Sequence, residues 1–92
     1  MPKFNSAQIK NLLPTVPDWQ KKGANIVRTF QFKDFVQAIR FVGAVAKLAE
    51  KDNHHPDIDI RWNKVTLALS THSEGGLTAK DFALAAKCDG LI

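Results

Sequence analysis

Asp57-Ile58-Asp59-Ile60-Arg61-Trp62-Asn63-Lys64-Val65-Thr66-Leu67-Ala68-Leu69 is the stretch that decides the fold. Ile58, Ile60 and Trp62 alternate with Asp59 and Arg61, and Val65, Leu67 and Leu69 alternate with Lys64, Thr66 and Ala68. A two-residue period is what a strand shows when one face packs on a core and the other meets water. Between the two runs, Asn63-Lys64 reads as a tight turn, because asparagine tolerates positive φ. The stretch is therefore an antiparallel hairpin, and a hairpin brings its outer ends together. Whatever precedes Ile58 and follows Leu69 meets at one end of a sheet.

Those ends carry the chain's chemistry. All three of its histidines stand there: His54 and His55 just before the first strand, His72 in the loop after the second. Glu50 lies four residues ahead of the pair and Pro56 directly behind it. Histidine is the side chain whose ordinary pKa lets it give or take a proton near neutrality. Gathering every copy beside a carboxylate points to general acid and base chemistry. Pro56 fixes its own φ and biases His55 toward extended geometry, which holds the pair in place. A zinc site built from three histidines and Glu50 is the competing reading. Against it, adjacent residues in an extended segment point to opposite faces, so His54 and His55 do not easily ligate one ion. Chance clustering in loops is the third.

Upstream, Ile26, Val27, Thr29, Phe30 and Phe32 argue for a strand. It is preceded by a loop with turn residues at Pro17-Asp18 and Gly23, with room for a short strand around Trp19 to Lys22. Ser6 is placed to cap a first helix in which Ile9, Leu12 and Leu13 form one stripe, ended by Pro14. Asp34 caps the longest helix. Phe35, Ile39, Val42, Ala46 and Ala49 make one apolar stripe on it, and Phe41, Val45 and Leu48 a second. An arc that wide needs cover from the sheet and from something else, and a partner subunit is the natural candidate. Thr78-Ala79-Lys80-Asp81 has the form of a capping box, with Leu77 and Phe82 as its hydrophobic staple, and Gly90 ends the last helix. On its own Asp81 reads as a cap residue, Trp19 and Trp62 as packing aromatics, and Gly75-Gly76 as a flexible loop too short to cradle phosphate. The order α-β-β-α-β-β-α gives an α+β fold: an antiparallel sheet of about four strands with three helices on one face, one domain over residues 1–92.

Composition bounds the function. Ninety-two residues allow one small core. The net charge of +4 is scattered among acids, with no run of three bases, so a solvated mixed surface is expected rather than a nucleic-acid surface. The lone Cys88 excludes an internal disulfide, fits a reducing cytosol and reads as a packed structural thiol. No apolar run approaches the roughly 20 residues of a membrane span. The first residues lack the basic-then-apolar pattern of a secretion signal, so a cytoplasmic protein with no membrane contact is expected.

Taken in order, the motif is Glu50, three residues, His54-His55-Pro56; an aromatic at Trp62; Asn63-Lys64-Val65; Thr71-His72; Gly75-Gly76-Leu77; and Asp81. This closely resembles the pterin-4a-carbinolamine dehydratase family, over a span from about Trp19 to the end of the last helix. Trp62 stands where the family often has tyrosine, which removes a hydroxyl but keeps the aromatic body. The resemblance implies dehydration of 4a-hydroxytetrahydropterin, the by-product of aromatic amino-acid hydroxylases, to quinonoid dihydropterin, with no cofactor and no metal. It implies catalytic roles for His54, His55 and His72, with Glu50 and Asp81 as supporting carboxylates. Substrate contact is implied for Glu50, His54, His55, Pro56, Thr71, His72, Ser73, Glu74 and Asp81. One division of labour has His55 or His72 as base at N5 and His54 as acid at the hydroxyl. The resemblance also implies a homodimer or homotetramer built through sheet edges and the long helices. Some animal members partner a homeodomain transcription factor. A non-catalytic interaction module or a pterin-binding protein of another pathway is the alternative on the same fold.

Overall fold

The computed structural model describes residues 2–92. Along the chain run α1 (Ser6–Leu12), β1 (Gln20–Lys22), β2 (Asn25–Gln31), α2 (Phe35–Asp52), β3 (Asp57–Arg61), β4 (Lys64–Leu69) and α3 (Ala79–Asp89). Single 3-10 turns sit at Leu13–Thr15 and His72–Glu74. The strands form one antiparallel sheet in the order β1-β2-β4-β3. This is the α+β architecture the alternation predicts.

Register follows burial. Ile26 lies opposite Leu69, Arg28 opposite Leu67 and Phe30 opposite Val65. A slip of one residue would turn all of these side chains to water. Ile58 and Ile60 pair with Leu67 and Val65, on the same face, yet every residue of β3 is exposed. The helices back the middle of the sheet and leave this edge strand open. The core joins Ile26, Phe30, Val65, Leu67 and Leu69 of the sheet to Ala38, Phe41 and Val45 of α2 and Leu84, Ala85 and Cys88 of α3.

Two local expectations shift by a residue. Asn5, not Ser6, caps α1: its side chain accepts from Gln8 N, and the Gln8 side chain accepts from Asn5 N, at 2.9 and 2.8 Å. The reciprocal pair satisfies two free N–H groups where Ser6 would satisfy one. The hairpin turn is Trp62-Asn63, not Asn63-Lys64, because Arg61 pairs with Lys64. Trp62 takes the positive φ, at 51°. Gly90 ends α3 as expected, in a right-handed conformation, φ −69°. Asp34 caps α2 as expected, accepting from Gln37 N at 2.9 Å.

Trp19 is a core aromatic with a polar handle. Its Nε1 donates to Asp89 Oδ1 at 2.9 Å, and Arg28 Nη1 donates to the same oxygen at 2.6 Å while its guanidinium lies over Phe30, 4.2 Å from the ring centroid. This ties the end of α3 to β2. No helix is long and apolar enough to cross a membrane among the described residues.

Candidate active site

Asn53 ends α2 in the left-handed region, φ 49°, a conformation asparagine adopts more readily than most residues. Its N–H bonds the Glu50 carbonyl at 3.2 Å, and the next N–H, that of His54, bonds the Ala49 carbonyl at 3.0 Å. The backbone of His54 is thus pinned to the end of α2 before β3 begins. The two histidines then part, as neighbours in extended chain must.

His54 turns inward. Its side chain is 9% exposed, and Nε2 lies 2.6 Å from Oδ1 of Asp81, which is wholly buried at the start of α3. His55 turns outward, where Nε2 meets Glu50 Oε2 at 2.5 Å with both side chains open to water. Asp81 does double duty. It closes the capping box through Thr78 N at 2.9 Å, and Thr71 Oγ1 donates to the same oxygen at 2.8 Å. Thr71 and Thr78 hydroxyls touch at 2.8 Å. Among the described residues no buried polar side-chain atom is left without a partner. Such a network costs little as long as every member is satisfied.

Thr71 also anchors the loop that carries His72. Thr71 and Gly76 form a bridge, with N–H to carbonyl distances of 2.9 and 3.4 Å, and Glu74 N returns to the Thr71 carbonyl at 3.0 Å. Gly75, φ 71°, makes the left-handed turn that lets the loop close in six residues. His72 and Ser73 are exposed on it; Glu74 and, across the site, Pro56 are half-buried. The structure therefore brings His54, Asp81 and Thr71 into one contact network, with His55–Glu50 and His72 flanking it at the same end of the sheet. Trp62 is at the other end, on the hairpin tip.

Two features escaped sequence reasoning. Thr78 belongs to the network; its place in the capping box was visible, the hydroxyl contact to Thr71 was not. Thr71, expected to face a ligand, has its hydroxyl committed to Asp81. Among the described residues no three His, Cys, Asp or Glu side chains converge as an ion's ligand set would require. Two surface clefts, of about 350 and 260 Å³, are lined by Lys3, Lys21 and Gly76 in one case and by Arg40, Phe41 and Leu91 in the other. Neither is lined by a histidine.

Fold and site together define a small α+β protein that presents carboxylate-held imidazoles at one sheet end, where they can give and take protons. The family profile described as "Pterin 4 alpha carbinolamine dehydratase" matches residues 2–91. A relative in Chloroflexus aurantiacus, provisionally named pterin-4-alpha-carbinolamine dehydratase, is 54% identical over 92 residues, covering 100% of this chain and 99% of its own. One in Roseiflexus castenholzii with the same provisional name is 56% identical over 89 residues, covering 97% and 96%. Among solved structures, a transcriptional coactivator/pterin dehydratase from Brucella melitensis superposes with a TM-score of 0.93 at 35% identity, covering 97% of each chain. A pterin dehydratase-like protein identified as a RuBisCO assembly factor in the alpha-carboxysome gives 0.67 at 28%, covering 79% of this chain and 84% of its own. The chain belongs to the pterin-4-alpha-carbinolamine dehydratase family.

Proposed function

We propose that residues 1–92 act as one cytoplasmic domain that eliminates water from 4a-hydroxytetrahydropterin to give quinonoid dihydropterin, returning the pterin to an aromatic amino-acid hydroxylase. The observation that carries this is the gathering of His54, His55 and His72 at one sheet end, two of them held by carboxylates. Elimination needs two proton transfers. The hydroxyl at C4a leaves with its bonding pair and takes a proton from an acid, departing as water. The proton on N5 goes to a base, and the N5 pair closes the C4a–N5 double bond. Imidazoles can supply both the acid and the base near neutrality. Glu50 orients His55 and Asp81 orients His54, while Pro56, Thr71, Ser73 and Glu74 border the ring.

Proton-transfer residues are expected to contribute roughly 10²–10³ in rate each. A stopped-flow assay that generates 4a-hydroxytetrahydropterin and follows its ultraviolet decay tests this. Wild-type protein should accelerate the decay, and a folded His54→Ala, His72→Ala double variant should not. The second reading, an interaction module without catalysis, draws on the roles named for the two solved neighbours. Failure of folded wild-type protein to accelerate the decay would favour it. Either function is proposed for a homodimer or homotetramer, supported by the exposed apolar stripe of Phe35, Val36 and Ile39 on α2.

A further inference from the structure

Three donors converge on the buried Asp81 carboxylate, and a single arrangement of hydrogens satisfies them all. Oδ2 accepts the Thr78 N–H at 2.9 Å and the Thr71 hydroxyl at 2.8 Å. A hydroxyl carries one proton. Thr71 gives its proton to Asp81, so in the 2.8 Å contact between the threonines Thr78 donates and Thr71 accepts. Thr78 Oγ1 in turn accepts the Lys80 N–H at 3.3 Å. What remains is Oδ1, 2.6 Å from His54 Nε2. Oδ2 is already filled, so a proton shared across the pair must lie between Oδ1 and Nε2. A carboxyl is ordinarily the stronger acid of the two, which leaves that proton on Nε2. Among the described residues His54 Nδ1 has no hydrogen-bond partner, whereas no buried polar side-chain atom lacks one. Nδ1 is therefore the nitrogen that reaches the surface.

We propose that Thr78 and Thr71 act through Asp81 as positioning residues, holding His54 in the Nε2–H tautomer so that Nδ1 alone exchanges protons at the sheet end. The neutral ring then shows a lone pair outward. It is a proton acceptor at rest, with the Asp81 carboxylate on its far side. The hydroxyl chain shares with the Thr78 N–H the task of orienting the carboxylate. Removing a hydroxyl loosens that orientation and lets Oδ1 turn away from Nε2, so that the ring can also take the Nδ1–H tautomer and present a donor where a base is needed. The catalytic consequence rests on the dehydratase reading: His54 becomes the base at N5, not the acid at the hydroxyl. The tautomer itself does not depend on that reading.

The test is long-range ¹H–¹⁵N spectroscopy of ring-labelled histidine in the full chain near neutral pH, alongside stopped-flow turnover. Wild type should show His54 protonated at Nε2 and bare at Nδ1. Thr71→Val and Thr78→Ala should show a mixed or Nδ1–H tautomer, with kcat lowered at least roughly tenfold and KM little changed. Thr71→Ser, which returns the hydroxyl, should recover both. A wild-type Nδ1–H tautomer would overturn the proposal outright, and this holds even where neither variant folds. Folded variants with the wild-type tautomer and wild-type kcat would overturn it equally. The expected tautomers with no turnover by wild type would leave this assignment standing and sink the dehydratase.

Discussion

Cys88 shows how strongly its surroundings decide what a single residue does. It lies on the inner face of α3 with no exposed surface. Burial first, then the negative charges of Asp89 and Asp52, push the thiol up to about 11 from its ordinary 9.0. Only the thiolate is a nucleophile, so the native protein should ignore a disulfide reagent at pH 8 and react once per chain when unfolded. The shift also acts on stability. The folded state holds the proton more tightly than the unfolded one, so the contribution is present below pH 9 and is lost as pH rises toward 11. Urea unfolding across that window should show wild type losing roughly 2–3 kcal/mol that Cys88→Ala, uniformly weaker, does not lose. Equal slopes would disprove it. At this scale the sequence was informative about identity and poor about direction. That neighbouring histidines must point apart followed from chain geometry, and His54 and His55 do so. That His54 is the one facing inward, onto Asp81, depends on where α3 packs, which residue spacing does not report. Capping alone was a sufficient reason for Asp81, so its spacing gave no sign of a second role; only the family resemblance did.

For the elements, the hairpin marks the boundary of what patterning can decide. A turn at Asn63-Lys64 and a turn at Trp62-Asn63 both keep Ile58 and Ile60 on the face of Val65, Leu67 and Leu69. Alternation alone cannot choose between them. The choice is made by β2: Phe32 N donates to the Asn63 carbonyl at 2.8 Å, and Asn63 Nδ2 donates to the Phe32 carbonyl at 2.9 Å. These contacts hold Asn63 in place and leave Trp62, 64% exposed, to take the positive φ. A side chain with a Cβ is strained there and glycine is not. Trp62→Gly should therefore raise thermal stability by about 1 kcal/mol, read from the melting transition. A loss would mean that the indole packs on something outside its own subunit. The slip from Ser6 to Asn5 has a similar cause. Both are capping residue types, and the partner three positions on, Gln8, settles which one is used.

At the scale of the whole molecule, large apolar side chains on α2 and β3 have no cover among the described residues. The wide arc on α2 was legible, and the structure divides it. Ala38, Phe41, Val45 and Ala49 are buried in the core, while Phe35, Val36 and Ile39 lie exposed one stripe over. Ile58 and Ile60 add to this on the open edge strand β3. Large apolar side chains gathered this way mark an interface more often than a solvated face. The sequence shows the width of the stripe but not what lies on it, because the pattern of one chain does not specify the surface that would cover it. Light scattering should give wild-type protein the mass of two or four chains. Ile39→Glu should leave the fold intact by circular dichroism, since the residue is already exposed in the subunit. It should weaken association at least roughly a hundredfold, as an unpaired charge in an apolar interface costs several kcal/mol. Wild-type protein that stays monomeric at high concentration would show that the exposed stripe of α2 serves no self-association. The exposed faces of α2 and β3 would then be open to a different partner.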